Sequence, residues 1–378
     1  MHDGAPLTDT ALNPVNAPDA AAAEQAEAPQ PAAPRPPLRV VFMGTPGFAA
    51  VTLRHLLEWD GCEVVAAYTQ PDRPCGRGQQ CRPPEVKLLA LEHGVPVYQP
   101  LNFKTDEAVA ELRSLRPDVL VVAAYGLILP QSVLDIPRLG PVNVHASLLP
   151  RLRGAAPIQR AIMAGDAVTG VTIMRMEASL DTGPMLLQKA MGIGIDDTAG
   201  DLHDQLAELG GRLLTVALSK LADGTAVAIA QDHERATYAA KLTKADGLID
   251  WNRPAAQVHA HIRGVTPWPG AYCTIRREGQ KDLRVSLGPG RIGPALSGDG
   301  AAPDCVDHAA AAPGTPGVPG TPGTIVGLVD EQLAIACVDR LYLVDSIRPA
   351  DRKPMDARAF LCGYLNACEC DGGLAVCG

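Results

Sequence analysis

The chain has 378 residues, 47% of them hydrophobic and 20% charged, with a net charge of −9. That length allows two domains with separate cores, and no apolar run reaches the ~18 residues expected of a membrane span. The acid excess at first argues against a nucleic-acid partner. It is unevenly spread, however: residues 1–37 hold five acids against Arg35 alone, so basic patches elsewhere can still bind phosphate.

Residues 1–37 are rich in Ala and Pro and lack hydrophobic periodicity, which predicts a disordered acidic tail. They have neither the basic-plus-apolar pattern of a secretory signal nor the Arg content of a transit peptide, so a cytoplasmic protein is expected. Order is predicted to begin at LRVVFMG (38–44), a continuous apolar strand suited to burial on both faces of a parallel sheet. The turn Gly44-Thr45-Pro46-Gly47 lacks the G-x-G-x-x-G spacing that brings backbone near a pyrophosphate. It reads as a plain strand-to-helix turn and argues against a nicotinamide oxidoreductase. The pattern then predicts a helix over 49–59, a strand over 63–69, a helix over 84–93, a short strand over 95–98, a helix over 105–114 and a strand over 118–126. NVH (143–145) ends a further strand. A helix over 155–164, strands over 170–176 and 185–190 and a long helix over 198–221 complete the series. Strands alternating with helices predict an α/β class for 38–225, Rossmann-like with a mainly parallel sheet.

Residues 226–243 read as a linker. After it the segments become short and β-rich, at 271–277, 283–288, 324–329, 332–338 and 340–347, with a closing helix over 355–366. This predicts a smaller second domain over 244–366, an OB-like antiparallel barrel. Residues 288–323, which include PGTPGVPGTPG, are expected to be a flexible surface insertion, and 367–378 a terminal tail. Six of the ten cysteines lie in the last quarter of the chain. Cys362, Cys368, Cys370 and Cys377 lack paired C-x2-C spacing, so incidental thiols and no metal are expected.

Sites in doubly wound sheets form at the carboxyl ends of strands. Gly44-Thr45-Pro46, Tyr125-Gly126 and His145 follow strands directly, and Asp181, in the loop before the next strand, can reach the same rim. Asn143, His145 and Asp181 supply an amide, an imidazole and a carboxylate, the parts needed to hold an acyl group and stabilise an oxyanion. No serine, cysteine or metal-ligand set is placed to attack. The nucleophile is therefore expected to come from a substrate, which points to a transferase. Each residue alone has a plainer reading, as a strand-end cap, a core histidine or a turn; the set favours catalysis. A carboxylate beside His145 would favour its imidazolium form.

The chain resembles the methionyl-tRNA formyltransferases. The resemblance runs collinearly from about 38 to 366, through MGTPGFA (43–49), TQPDRPCGRGQQ (69–80), VVAAYGLILP (121–130), NVHASLLPRLRGAAPIQRAI (143–162), GVTIMRMEASLDTG (170–183), LAELGGRLL (206–214), IDW (249–251) and PWPGA (267–271). It departs from that family in the acidic tail, the 288–323 insertion and the Cys-rich end. The resemblance implies transfer of a formyl group from 10-formyltetrahydrofolate to the α-amine of methionyl initiator tRNA, with Asn143, His145 and Asp181 catalytic. It implies that Tyr125, Gly126, Leu127 and Ile128 line a pterin slot. Ser147, Leu148, Leu149 and Pro150 either belong to the folate site or are ordinary strand-to-helix connection. It further implies that the basic segment 70–87, with Arg73, Arg82, Lys87 and above all Arg77, grips the acceptor end of tRNA, with Lys244 at the domain junction. Arg253, Arg263, Arg276, Arg277, Lys281 and Arg284 are further candidates. No membrane partner is expected, and the protein is expected to be a monomer. The alternatives are a formyl-folate enzyme acting on a small amine such as an amino sugar, and a nucleic-acid-binding module with a degenerate enzyme domain. The basic loop and second domain, which a small substrate does not need, favour tRNA.

Overall fold

Apolar side chains alternate along β1 (Leu38–Gly44), so that Val40 and Phe42 enter one core and Val41 and Met43 another. A strand without a polar face belongs inside a sheet covered on both sides. The computed structural model describes residues 36–75, 80–276, 281–296, 321–365 and 376–377, and places β1 inside a seven-stranded sheet. In chain order follow α1 (Gly47–Leu57), β2 (Cys62–Tyr68), β3 (Arg73–Cys75), β4 (Gln80–Arg82), α2 (Glu85–Glu92), β5 (Val97–Tyr98), α3 (Asp106–Ser114) and β6 (Val119–Ala123). Then come α4 (Gln131–Leu134), β7 (Pro141–His145), β8 (Arg153–Gly154), α5 (Pro157–Met163), β9 (Val168–Arg175), β10 (Met185–Gly192) and α6 (Ala199–Asp223).

The sheet order is β10-β9-β7-β6-β1-β2-β5. The pairs from β7 to β5 are parallel; β7–β9 and β9–β10 are antiparallel. The chain leaves β1 toward β2 and β5 and returns on the other side at β6. The order therefore reverses between β1 and β6, and the crevice at their carboxyl ends is where such sheets bind ligands. On one face, Leu53 and Leu56 of α1 and Leu206, Leu214 and Leu218 of α6 pack with Val142 and Val144. On the other, Leu112 of α3 and Val133 of α4 pack with Leu120 and Val122. No helix among the described residues is long and apolar enough to cross a membrane.

The second domain follows β11 (Tyr238–Ala239) and a 3-10 turn at Lys244–Gly247. It comprises α7 (Ala255–Gly264), β12 (Ala271–Arg276), β13 (Leu283–Leu287), β14 (Arg291–Ala295), β15 (Ile325–Val329), β16 (Gln332–Ala336), β17 (Arg340–Val344), β18 (Ser346–Pro349), β19 (Met355–Asp356), α8 (Ala357–Tyr364) and β20 (Val376–Cys377). These strands form two antiparallel sheets, β19-β18-β13-β12-β20 and β14-β17-β16-β15, around Trp251, Val258, Ile262, Tyr342 and Phe360. The β-rich second domain expected from the sequence is thus present.

Several boundaries differ from expectation. The segment 226–243 is not a free linker. Ile229 and Met185 exchange both backbone hydrogen bonds at 2.8 Å, and β11 pairs in parallel with β8; its polar groups serve a seam. The expected insertion at 288–323 begins too early, because Arg291–Ala295 is a strand paired with β17. Its glycines looked like looseness but permit close approach: a Cβ at Gly293 would stand 3.0 Å from Leu343, and one at Gly290 would collide with the Leu343 carbonyl. Residues 297–320 lie outside the described residues. The strand expected over 340–347 is two, because the chain changes sheet at Asp345, which accepts from Gln332 at 2.6 Å. Within the expected tail, β20 pairs with β12. Cys362 is disulfide-bonded and not an incidental thiol; Cys368 and Cys370 lie outside the described residues.

The long helix α6 starts at a reciprocal cap. Thr198 Oγ1 accepts from the Asp201 N–H at 3.2 Å, and Asp201 Oδ2 accepts from the Thr198 N–H at 2.9 Å. Hydrogen bonds from the Thr198 hydroxyl and backbone hold the Asp201 carboxyl below its usual range. Thr198→Ala should lower the unfolding free energy by about 1 kcal/mol at pH 7. A depressed carboxyl stabilises above its ordinary range and loses that contribution as pH falls through its folded value. The difference between Thr198→Ala and the parent should therefore shrink below about pH 4, as measured by urea unfolding at pH 7 and 3.5.

Candidate active site

Val142 and Val144 of β7 face the core under α1 and α6. Strand alternation then turns Asn143 and His145 together to the opposite face. Both sit mid-sheet: Asn143 is registered with Val122 of β6 and Met174 of β9, and His145 with Thr172. His145 is buried, and its Nε2 is 3.0 Å from the Leu152 carbonyl oxygen. A carbonyl only accepts, so Nε2 carries the hydrogen and Nδ1 is the ring atom that faces Asp181. Asp181 Oδ2 is 3.7 Å from Nδ1 and accepts the Gly154 N–H at 2.8 Å. Leu152 and Asp181 both have left-handed backbone, at φ 59° and 51°. Such residues cluster where surrounding structure overrides local cost.

The loop after β7 is held by one hydroxyl. Thr172 Oγ1 donates to the Ser147 carbonyl at 2.7 Å and accepts from the Leu149 N–H at 3.1 Å and the Gln188 amide at 2.9 Å. The Ser147 hydroxyl donates to the Arg151 carbonyl at 2.7 Å. Ser147 and Leu149 are buried, Leu148 and Pro150 partly so, and the Leu149–Pro150 peptide is cis. Ser147 and Leu149 thus shape the loop from inside. Of the expected pterin segment, Tyr125 turns its ring into the core with Val41 and Met43. Burial pushes its phenol well above the usual range. Its carbonyl accepts from Thr45 Oγ1 at 3.1 Å and Gln70 Nε2 at 3.2 Å. The Tyr125 side chain thus serves the core, since a large ring next to an apolar strand end gains most by burial, and what Tyr125 presents at the rim is its backbone. Gly126 is exposed, Leu127 half-buried, and Ile128 is 90% exposed, an apolar surface open to a flat ring. Leu180, beside Asp181, is 63% exposed. Thr45 was expected on this rim with Gly44 and Pro46; Gln70 and Thr172 were not singled out in the sequence. Both lie inside quoted motifs, Thr172 as one hydroxyl in an apolar strand whose composition does not mark it out.

Among the basic candidates, β3 and β4 form a hairpin in which Arg73 and Arg82 are direct cross-strand partners, both exposed. Arg73 donates to Gln70 at 2.8 Å. Arg77 lies outside the described residues. Lys87 does not project from the loop: it lies in α2, and its ammonium bonds Asp72 at 2.7 Å and Gln99 at 2.9 Å. That ammonium, with the Gln99 amide, holds the Asp72 carboxyl below its usual range. Lys244 is exposed on its 3-10 turn. Arg263 is corrected to a domain tether. It is buried and donates to the Gly194 and Asp197 carbonyls at 3.2 and 2.8 Å, while His259 on the same helix donates to the Ile195 carbonyl at 2.9 Å. Arg253 pairs with Asp250 at 3.1 Å, and Arg277 lies outside the described residues. Among the described residues, no group of three or more His, Cys, Asp or Glu is placed to hold a metal.

Residues 38–218 match the formyl transferase family, and residues 241–365 match the formyl transferase C-terminal domain. The chain is 64% identical over 342 residues to the methionyl-tRNA formyltransferase of Nitratidesulfovibrio vulgaris strain DP4, covering 90% of this chain and 98% of that one. The chain belongs to the methionyl-tRNA formyltransferase family. The family member of Desulfovibrio desulfuricans is 50% identical over 330 residues, covering 86% of this chain and 93% of that one. Among solved structures, the N-formyltransferase of Helicobacter canadensis, in complex with folinic acid and dTDP-3-aminofucose, superposes with a TM-score of 0.55 at 15% identity. It covers 81% of this chain and 98% of that one. HypX of Aquifex aeolicus in complex with tetrahydrofolic acid gives a TM-score of 0.53 at 16% identity, over 87% of this chain and 47% of that one. At such identities these two show the fold alone.

The anchor of Asp181 is the turn at Gly154, whose φ is 113° and where a Cβ would stand 2.9 Å from the Ala239 carbonyl oxygen. Gly154→Ala should cost about 2 kcal/mol of stability, by chemical denaturation. It should also lower formyl-transfer turnover more than the unfolded fraction accounts for, because the N–H that holds the carboxylate moves.

Proposed function

We propose that this chain transfers the formyl group of 10-formyltetrahydrofolate, in the cytoplasm, to the α-amine of methionyl initiator tRNA. The observation that carries the reading is a catalytic triplet with no nucleophile of its own. His145 meets a backbone carbonyl and a carboxylate, and Ser147, two residues on, gives its hydroxyl to Arg151. The attacking group then belongs to a substrate, and an amine suits a formyl donor.

Asn143 donates its carboxamide N–H to the oxygen that becomes negative as the amine adds to the formyl carbon. One such preorganised donor is worth about 3 kcal/mol at the transition state. His145 is fixed by its Nε2–H on Leu152, which leaves Nδ1, beside Asp181, as the ring atom that takes the proton the attacking amine loses and returns it to the folate nitrogen as that nitrogen's bond to the formyl carbon breaks. Asp181 orients that ring and compensates its charge when it is protonated. Folate supplies the formyl group. Exposed Ile128 and Leu180 offer it apolar contact, and the backbone at Gly126 and Leu127 offers hydrogen bonds.

The tRNA half of the reading is supported by arginines that meet no carboxylate among the described residues. Arg73 and Arg82 stand side by side on the hairpin. On the outward face of the second domain, Arg276, Arg284 and Arg348 alternate with buried residues along β12, β13 and β18. Arg284 lies 3.7 Å over the Tyr272 ring, and no acid occurs in these three strands. Like charges on one sheet face repel, and phosphates relieve that.

Asn143→Ala should lower kcat by about 10²–10³-fold, while His145→Ala and Asp181→Asn should abolish turnover and leave tRNA binding largely intact. The check is a formylation assay on charged initiator tRNA with an elongator control. Comparable turnover of free amino sugars, with none on the charged tRNA, would sink the reading. In binding titrations, Arg284→Gln combined with Arg348→Gln should reduce the slope of log K against log salt by about two. Lys87→Gln should change it far less, because Asp72 already neutralises that ammonium.

A further inference from the structure

The segment before β11 has no part in the chemistry above, yet a buried side chain from it ends at the Asp181 loop. Gln231 is 5% exposed. Its Nε2 donates to the Asp181 carbonyl at 2.8 Å and to the Gly183 carbonyl at 2.7 Å. Its Oε1 accepts from Arg153 Nε at 3.1 Å and Nη2 at 2.7 Å. A carboxamide has two N–H donors and one oxygen with two lone pairs, so these four bonds exhaust it and fix which way it points. Arg153 is itself 2% exposed, meets no carboxylate among the described residues, and also donates Nη2 to His233 Nδ1 at 3.1 Å. Its backbone N–H donates to the Thr237 carbonyl at 2.8 Å, and the Leu152 N–H donates to Thr237 Oγ1 at 2.9 Å.

The two residues that hold His145 are thereby tied to each other from behind. Leu152, whose carbonyl takes the Nε2 hydrogen, precedes Arg153. Asp181, whose carboxylate faces Nδ1, has its own carbonyl on Gln231. We infer that Gln231 is a positioning residue for formyl transfer, setting the Asp181-to-His145 distance by bracing the Asp181–Gly183 backbone against Arg153. The inference rests on the roles proposed above for Asp181 and His145. Asp181 holds a left-handed backbone that non-glycine residues rarely keep unaided, and two carbonyls bound to one amide supply the restraint. The chemistry explains the residue type. A glutamate would pair better with the guanidinium, but only an amide also donates to two carbonyls.

Gln231→Glu separates the two duties. It preserves size and the acceptor toward Arg153 but sets oxygen against two carbonyl oxygens. If packing or Arg153 were the whole role, turnover would survive. Positioning predicts that kcat falls about a hundredfold, the cost of misplacing reacting groups by about 1 Å. The KM for each substrate should stay within about threefold, and the pH profile of kcat should shift. Gln231→Met, which introduces no buried charge, should behave alike, with thermal melting establishing that both variants are folded at the assay temperature. Turnover within threefold of the parent in both variants, or a loss no larger than the unfolded fraction, overturns the inference. Failure of the parent protein to formylate charged initiator tRNA would instead overturn the reading beneath it.

Discussion

Asp181 Oδ2 takes the Gly154 N–H at 2.8 Å and faces His145 Nδ1 at 3.7 Å, and the rest of the site is arranged around that oxygen. It fixes the loop before β10 against the turn at β8, which in turn presents the Leu152 carbonyl to the other side of the same imidazole. The ring is held at Nε2 and faced at Nδ1 by chain that does not belong to its own strand. A sheet end alone could not achieve this. Asn143 and His145 are placed by alternation along β7, but their third partner has to be brought from a loop, and the loop needs bracing of its own.

The same economy governs positive charge. A chain with a net charge of −9 keeps several cations for structure: Lys87 binds Asp72, Arg160 binds Asp246 at 2.9 Å, and Arg263 clamps the carbonyls before α6. Among the described residues, five exposed arginines without a carboxylate partner stand on the β3–β4 hairpin and on the outward face of β12, β13 and β18. Electrostatic attraction for a polyanion therefore comes from a few placed side chains, which suits recognition of one substrate better than adhesion to any nucleic acid.

Much of this architecture was legible in the sequence. The strand LRVVFMG is apolar at every core position and ran as read, and NVH was expected at a strand end, where it lies. What escaped notice had physical reasons. α7 buries His259 and Arg263 on its inner face, so its apolar period is broken where it matters. β14 uses glycine for close packing in a stretch whose composition suggests looseness. Tyr125 carries the family motif yet sends its ring inward, because a motif records identity and not direction. Gln231 gave no signal at all: a single amide in a polar segment becomes meaningful only once its four partners are seen to converge.

The two ends of the excursion between β14 and β15 meet on one turn. The Leu296 N–H donates to the Asp339 carbonyl at 3.0 Å, and the Gly323 N–H to the Ala336 carbonyl at 2.8 Å, so both strands are closed off at the β16–β17 connection. Loop entropy grows only with the logarithm of length once the ends are fixed. Chain can be added or lost between these anchors with almost no thermodynamic consequence for the sheet. A foreign peptide or reporter spliced between these anchors would leave both strand ends held as they are.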